Sequence, residues 1–119
     1  MSALTAAQIL AAAADPARLK REPLEVPELG GTVYLRELTG QEREEWGAMY
    51  NGDVRAKHRL AAATVWLSLV DEAGNRFYTD PADITKLAAL PGRVIERMAD
   101  VTLRLSGMKP DSVEEAKGN

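Results

Sequence analysis

His58 is the single histidine in a chain of 119 residues that has no cysteine. The missing cysteines exclude disulfides, a thiol nucleophile and Cys-ligated zinc. One histidine excludes multi-His metal sites but leaves a Ser/His pair open. A catalytic base needs a nucleophile or substrate beside it and a group to orient it. His58 stands between Lys57 and Arg59, which disfavour its protonation and supply no orienting carboxylate. A helix-surface histidine is the plain account. Ser2, Ser68, Ser106 and Ser112 have no nucleophile-elbow context.

Paired acids are the next candidates. Asp80 and Asp83 flank Pro81, where an N-cap and an acid in the first turn of a helix explain both. Asp71, Glu72 and Asn75 resemble a piece of a calcium loop but lack its alternating ligands and terminal glutamate, so they read as a turn. Gly30-Gly31 is followed by β-prone residues and no Lys-Ser/Thr pair, so it is a hairpin turn and not a phosphate loop. No metal or other cofactor is expected.

Arg55, Lys57, His58 and Arg59 form the densest basic run. Net charge is −3, and no larger segment is strongly basic. Nucleic-acid binding, which rests on neutralising phosphates, is therefore disfavoured. A solvated helix start facing the acids Glu42, Glu44 and Glu45 is preferred. No apolar run approaches the roughly 18 residues of a membrane span. No signal peptide is read at the N-terminus, and the expected location is the cytoplasm of the producing cell.

The aromatic residues point to protein contact instead. Trp46, Met49 and Tyr50 lie at i, i+3 and i+4 of one helix face. Tyr34 falls on the strand face opposite Val33 and Leu35. Trp66 reads as core. Tyr34, Trp46, Met49 and Tyr50 are the apolar positions least secured by a core explanation, and they are the candidate partner-binding residues. An exposed aromatic patch marks an interface.

The positioning elements follow from pattern. Thr5 and Gln8 have capping-box spacing before a helix over 6–14, which Asp15-Pro16 ends. That helix is mostly alanine, with little to bury, and at this length is marginal alone. Residues 15–23 read as a linker. Leu24, Val26 and Leu29, then Thr32 to Leu38, form two β-prone runs around Gly30-Gly31, a hairpin whose first strand carries Pro27 and so lies at an edge. Thr39 and Glu42 form a second capping box, opening a helix to Tyr50. A longer helix spans Val54 to Val70, with its end from Trp66 open to a strand reading. Its second half is apolar nearly all round and so belongs in the core. A turn at 71–75 precedes Arg76-Phe77-Tyr78. A short helix spans Ala82–Leu90, and a last one runs from Pro91 to Ser106 with Val94, Met98, Val101 and Leu105 in a stripe. Gly107 closes it.

The expected class is α+β: a predominantly helical small domain with an N-terminal β-hairpin. Its expected parts are an N-terminal helix and linker over 1–21, one globular domain over 22–107 and an acidic tail over 108–119. At this size a chain buries roughly two thirds of its unfolded surface and needs no staple.

The order of motifs resembles a known family. Val26–Trp46 (VPELGGTVYLRELTGQEREEW) precedes an apolar helix, then Ser68–Leu90 (SLVDEAGNRFYTDPADITKLAAL), then a helix ending LRLSGM. The small tail assembly chaperones of long-tailed bacteriophages and prophages share an edge segment V-P-x-x-G-x-V-x-[VL]-R, an L-x-D-x-x-G-x-R-x-[FY] turn and a closing L-[NS]-G. Leu69-Val70-Asp71, Gly74, Arg76-Phe77-Tyr78 and Leu105-Ser106-Gly107 match in order. The resemblance spans about residues 22–116.

The resemblance implies a protein without enzymatic activity, made in the host cytoplasm and absent from the finished virion. It implies binding to the tape measure protein and recruitment of tail tube subunits. It also implies a longer product made by ribosomal frameshifting near the end of the short reading frame, where Glu114–Asn119 stands. A homo-oligomer is left open. Two other classes compete: a structural head–tail or tail completion protein of the virion, and a small DNA-binding regulator using the Arg55–Arg59 helix.

Overall fold

The computed structural model describes residues 2–51 and 59–108, apart from the side chains of 50 and 51. Helix α1 (Ala6–Ala13) starts at the Thr5/Gln8 capping box, with both reciprocal bonds made. No residue of α1 is buried. The stretch read as a linker has more structure than expected. Asp15 caps a 3-10 turn over Pro16–Arg18, and strand β1 (Arg21–Val26) begins three residues before Leu24. The backbone at Lys20 already pairs with Glu37, whose N–H donates to the Lys20 carbonyl at 2.8 Å.

Strand β2 (Gly31–Arg36) pairs antiparallel with β1 as a hairpin. Pro27 lies in the 3-10 turn Pro27–Leu29 that joins them, so Leu29 belongs to the turn. The proline within β1 is Pro23, on the edge strand of a sheet ordered β1-β2-β3. Register places Leu24 opposite Val33 and Glu22 opposite Leu35, which puts all four on one face. Leu35 and Val26 are fully buried there.

Helix α2 (Gly40–Asn51) opens at the second capping box. The Glu42 N–H donates to Thr39 Oγ1 at 3.1 Å, and the Thr39 N–H donates to a Glu42 carboxylate oxygen at 2.9 Å. The expected long helix is described only from α3 (Leu60–Ser68), since its Val54–His58 start lies outside the described residues. Every residue of α3 from Ala62 to Ser68 is buried, as all-round apolarity requires. The chain then turns directly into β3 (Leu69–Val70), which pairs with β2. The strand alternative therefore holds for these two residues.

Helices α4 (Ala82–Leu87) and α5 (Gly92–Leu105) complete the domain. Val94, Ile95, Met98 and Val101 of α5 are buried against α3 and the hairpin. Each such side chain contributes about 1.5–3 kcal/mol by leaving water. A buried polar seam runs beside them: Ser68 Oγ donates to the Thr64 carbonyl and meets Thr102 Oγ1, both at 2.7 Å. Gly107 has φ 74°, and the N–H of Met108 reaches back to the Leu103 carbonyl at 2.7 Å, a Schellman close. Beside it, Ser106 Oγ accepts the Leu38 N–H at 2.9 Å and ties helix to hairpin. The fold is α+β, largely helical, with the expected N-terminal hairpin. Among the described residues no helix is long and apolar enough to cross a membrane.

Candidate partner-binding surface

The turn at 71–75 shapes the surface. Asp71 Oδ1 accepts the N–H groups of Ala73 and Asn75, each at 2.9 Å. The backbone bond from Asn75, then its side-chain amide and the other turn N–H groups, hold the Asp71 carboxyl below its usual value against some desolvation. Gly74 has φ 95°, which a side chain would strain. The turn therefore returns the chain antiparallel to β3, with Val70 bridged to Arg76. Arg76 goes inward and Phe77 outward.

Arg76 lies over the Trp66 ring at 4.5 Å and donates to the Trp66 carbonyl at 3.2 Å. It also approaches Glu42, at 3.8 Å. Glu42 is the centre of the buried charge here. Arg36 Nη1 and Nη2 donate to its two oxygens at 2.8 and 2.9 Å, a bidentate pair. Burial pushes the Glu42 carboxyl up. The Arg36 fork, the Thr39 N–H and the Arg76 charge outweigh burial and hold it below the usual range. The Arg76 Nε is buried and finds no acceptor among the described residues. Burial pushes the Arg76 guanidinium down, and Glu42 partly offsets that.

Near Phe77 the surface is different. A cleft of about 460 Å³ opens between the hairpin turn, β2, β3, α4 and the middle of α5. Leu29, Val33, Leu69, Tyr78, Leu87, Leu90 and Met98 line it along with Phe77, which is 56% exposed. The Phe77 ring meets Tyr78 edge-on, at 6.2 Å between centroids. Charges stand in and beside it: Asp83 and Lys86 of the lining pair at 3.6 Å, and Glu28, next in the chain to Leu29 of the lining, takes Arg93 and Arg97. Hydrogen bonding to Arg97 is the main cause that lowers the Glu28 carboxyl to about 2.

Of the candidate binding residues, Tyr34, Trp46 and Met49 do not line this cleft. Tyr34 is half-buried on the opposite sheet face, its hydroxyl 3.4 Å from a Glu72 carboxylate oxygen. Trp46 and Met49 are half-buried and packed on the core margin, with Trp46 Nε1 donating to Thr64 Oγ1 at 2.8 Å. The Tyr50 side chain lies outside the described residues. The residues that sequence reasoning passed over are Leu29 and Phe77, and also Leu4, Ile9 and Leu10 around α1, all exposed. For Leu29 the available signal was Pro27, which ends the strand before it.

Asp83 stands in the first turn of α4 as expected, while Pro81 takes the N-cap position and Asp80, one residue before it, accepts the Ala82 N–H at 3.0 Å through Oδ1. His58 and most of the basic run lie outside the described residues, while Arg59 donates to Thr85 Oγ1 at 3.0 Å. Among the described residues no group of three acids or histidines is placed to hold a metal.

No family model matches the chain, and no curated protein matches its sequence. The fold does have a solved likeness. It is similar to that of the bacteriophage HK97 tail assembly chaperone. The TM-score is 0.63 at 21% identity, over 85% of this chain and 98% of that one. The resemblance carried by the ordered motifs is thus met again in the fold. Its matching residues sit at structural joints: the Asp71 turn, Gly74, Arg76 and the Ser106-Gly107 close.

Proposed function

We propose that the chain is a non-catalytic phage tail assembly chaperone that binds the tape measure protein and helps recruit tail tube subunits. The likeness of fold to the HK97 chaperone along most of both chains carries this reading. The same motif order in the sequence and an open apolar cleft support it. A protein that holds exposed apolar helices needs such a surface together with solubility, and a net charge of −3 favours the latter. In this reading the protein works in the host cytoplasm and is absent from the mature virion.

Co-expression with the tape measure protein of the same phage tests it. A large, chain-dependent rise in soluble, co-purifying tape measure protein is expected. No rise, together with detection of this chain in purified particles by mass spectrometry, would replace the reading with that of a structural tail completion protein.

A further inference from the structure

We infer that the Phe77 cleft is the seat of the partner, and that it takes an amphipathic helix whose apolar stripe is flanked by acidic residues. This rests on the tail-chaperone reading, and it names the site and the chemistry of the segment bound. Leu29 and Phe77 are large, apolar and exposed in the lining of the cleft, together with Val33 and Met98. A cleft of this volume takes a few side chains, the demand of helix-in-groove recognition through anchors at i, i+3, i+4 and i+7.

The rim charges decide what flanks those anchors. Two of its three cations face water, while Arg97 is 37% exposed and the acids are tucked in. Lys86 and Arg93 side chains are 79% and 74% exposed, against 25% and 24% for their partners Asp83 and Glu28. An approaching helix therefore meets ammonium and guanidinium groups first, and acidic flanks are steered in while basic ones are repelled.

The chain's own segments fit poorly. Residues 109–119 are acidic, but Val113 is their single large apolar side chain. Helix α1 is apolar but carries no charge for the cationic rim to attract.

The test uses the full chain co-expressed with the tape measure protein. Phe77→Asp is expected to cut the co-purifying tape measure protein about tenfold or more, as loss of an interface anchor does. The pair Lys86→Glu with Arg93→Glu is expected to cut it several-fold, and Leu10→Asp on α1 to leave it unchanged. Circular dichroism and the thermal midpoint check folding, and Leu29→Asp stands in if Phe77→Asp unfolds.

If the wild-type chain captures the partner and both cleft variants still do, the inference falls while the chaperone reading stands. Loss on Leu10→Asp alone moves the contact to α1 and overturns it, and unchanged capture by the charge-reversed pair overturns the acidic-helix assignment. If light scattering shows the wild type self-associating and the cleft variants monomeric but still capturing, a second copy is the occupant and the inference falls. If the wild-type chain captures nothing, the chaperone reading itself fails.

Discussion

The two sides of the hairpin sheet solve opposite problems. On the side of Arg36, polar groups are buried and, apart from Arg76 Nε, matched: a bidentate pair to Glu42, a capping N–H from Thr39, and Arg76 laid across Trp66. At the margin of the other side, apolar groups are gathered and left open: Leu29, Val33 and Phe77 around one cleft. Burying charge is costly when its counter-charge is removed, so the first side is sensitive to loss of Glu42. Exposed apolar surface costs little to replace, so the second is free to vary with a partner. Stability and binding are therefore expected to separate along this sheet.

Glu42→Ala should break the matched side hardest. It leaves Arg36 buried without its counter-ion, and removal of one member of a buried pair costs about 3–5 kcal/mol. Urea unfolding measures this, and a loss under about 1 kcal/mol would show that the pair is not closed in solution. The same group gives a pH signature. The folded Glu42 carboxyl titrates below its ordinary 4.5, so the unfolded chain binds its proton more readily. That stabilisation is complete above about pH 5 and is lost as pH falls through 4.5 and then through the depressed folded value. Glu42→Gln should flatten the acid limb of the stability curve while leaving the slope above pH 6 unchanged.

Met98→Ala tests where the open side becomes core. Met98 lines the cleft yet is 1% exposed. Truncation should cost about 2–5 kcal/mol. Phe77→Ala, at the exposed wall of the same cleft, should change stability by under about 1 kcal/mol. Equal costs for the two would mean that the cleft closes over Phe77 in solution.

Much of the fold was legible because its signals are local. Thr5/Gln8 and Thr39/Glu42 each need three residues of spacing to announce a helix, and both capping boxes form. The Asp71 turn and Gly107 likewise act over a few residues. The strand at Arg21 was not legible, because Arg21-Glu22-Pro23 has no apolar alternation. It is held by pairing to β2 and by the Glu22 to Arg104 ion pair across 82 residues. The candidate surface was harder for the same reason. Trp46 looks available on a helical wheel, but its indole N–H is tied to Thr64 of α3, 18 residues away. Arg36, two residues on from Tyr34 and so on the same strand face, is 4% exposed because a cap glutamate six residues on neutralises it.

Thr39→Ala probes the matched side more gently. Its hydroxyl satisfies one N–H at the start of α2, and loss of such a cap costs about 1 kcal/mol. The Arg36 to Glu42 pair remains, so the acid limb of the pH curve should stay steep. A flattened limb would show that the cap, and not Arg36, fixes the carboxylate.

The smallest expected effect is at α1. Leu10 is 71% exposed, no residue of the helix is buried, and its capping box is its chief local support. An eight-residue helix gains little from propensity alone. Leu10→Asp should therefore move the global unfolding free energy by no more than about 0.5 kcal/mol, because the helix does not share in the cooperative core. Hydrogen exchange gives the sharper reading: amides of α1 should exchange far faster than those of α5 in the free chain. Protection of α1 equal to that of α5 would show that the helix is docked in solution. The contrast between a matched and an open region would then have to include a third, covered surface.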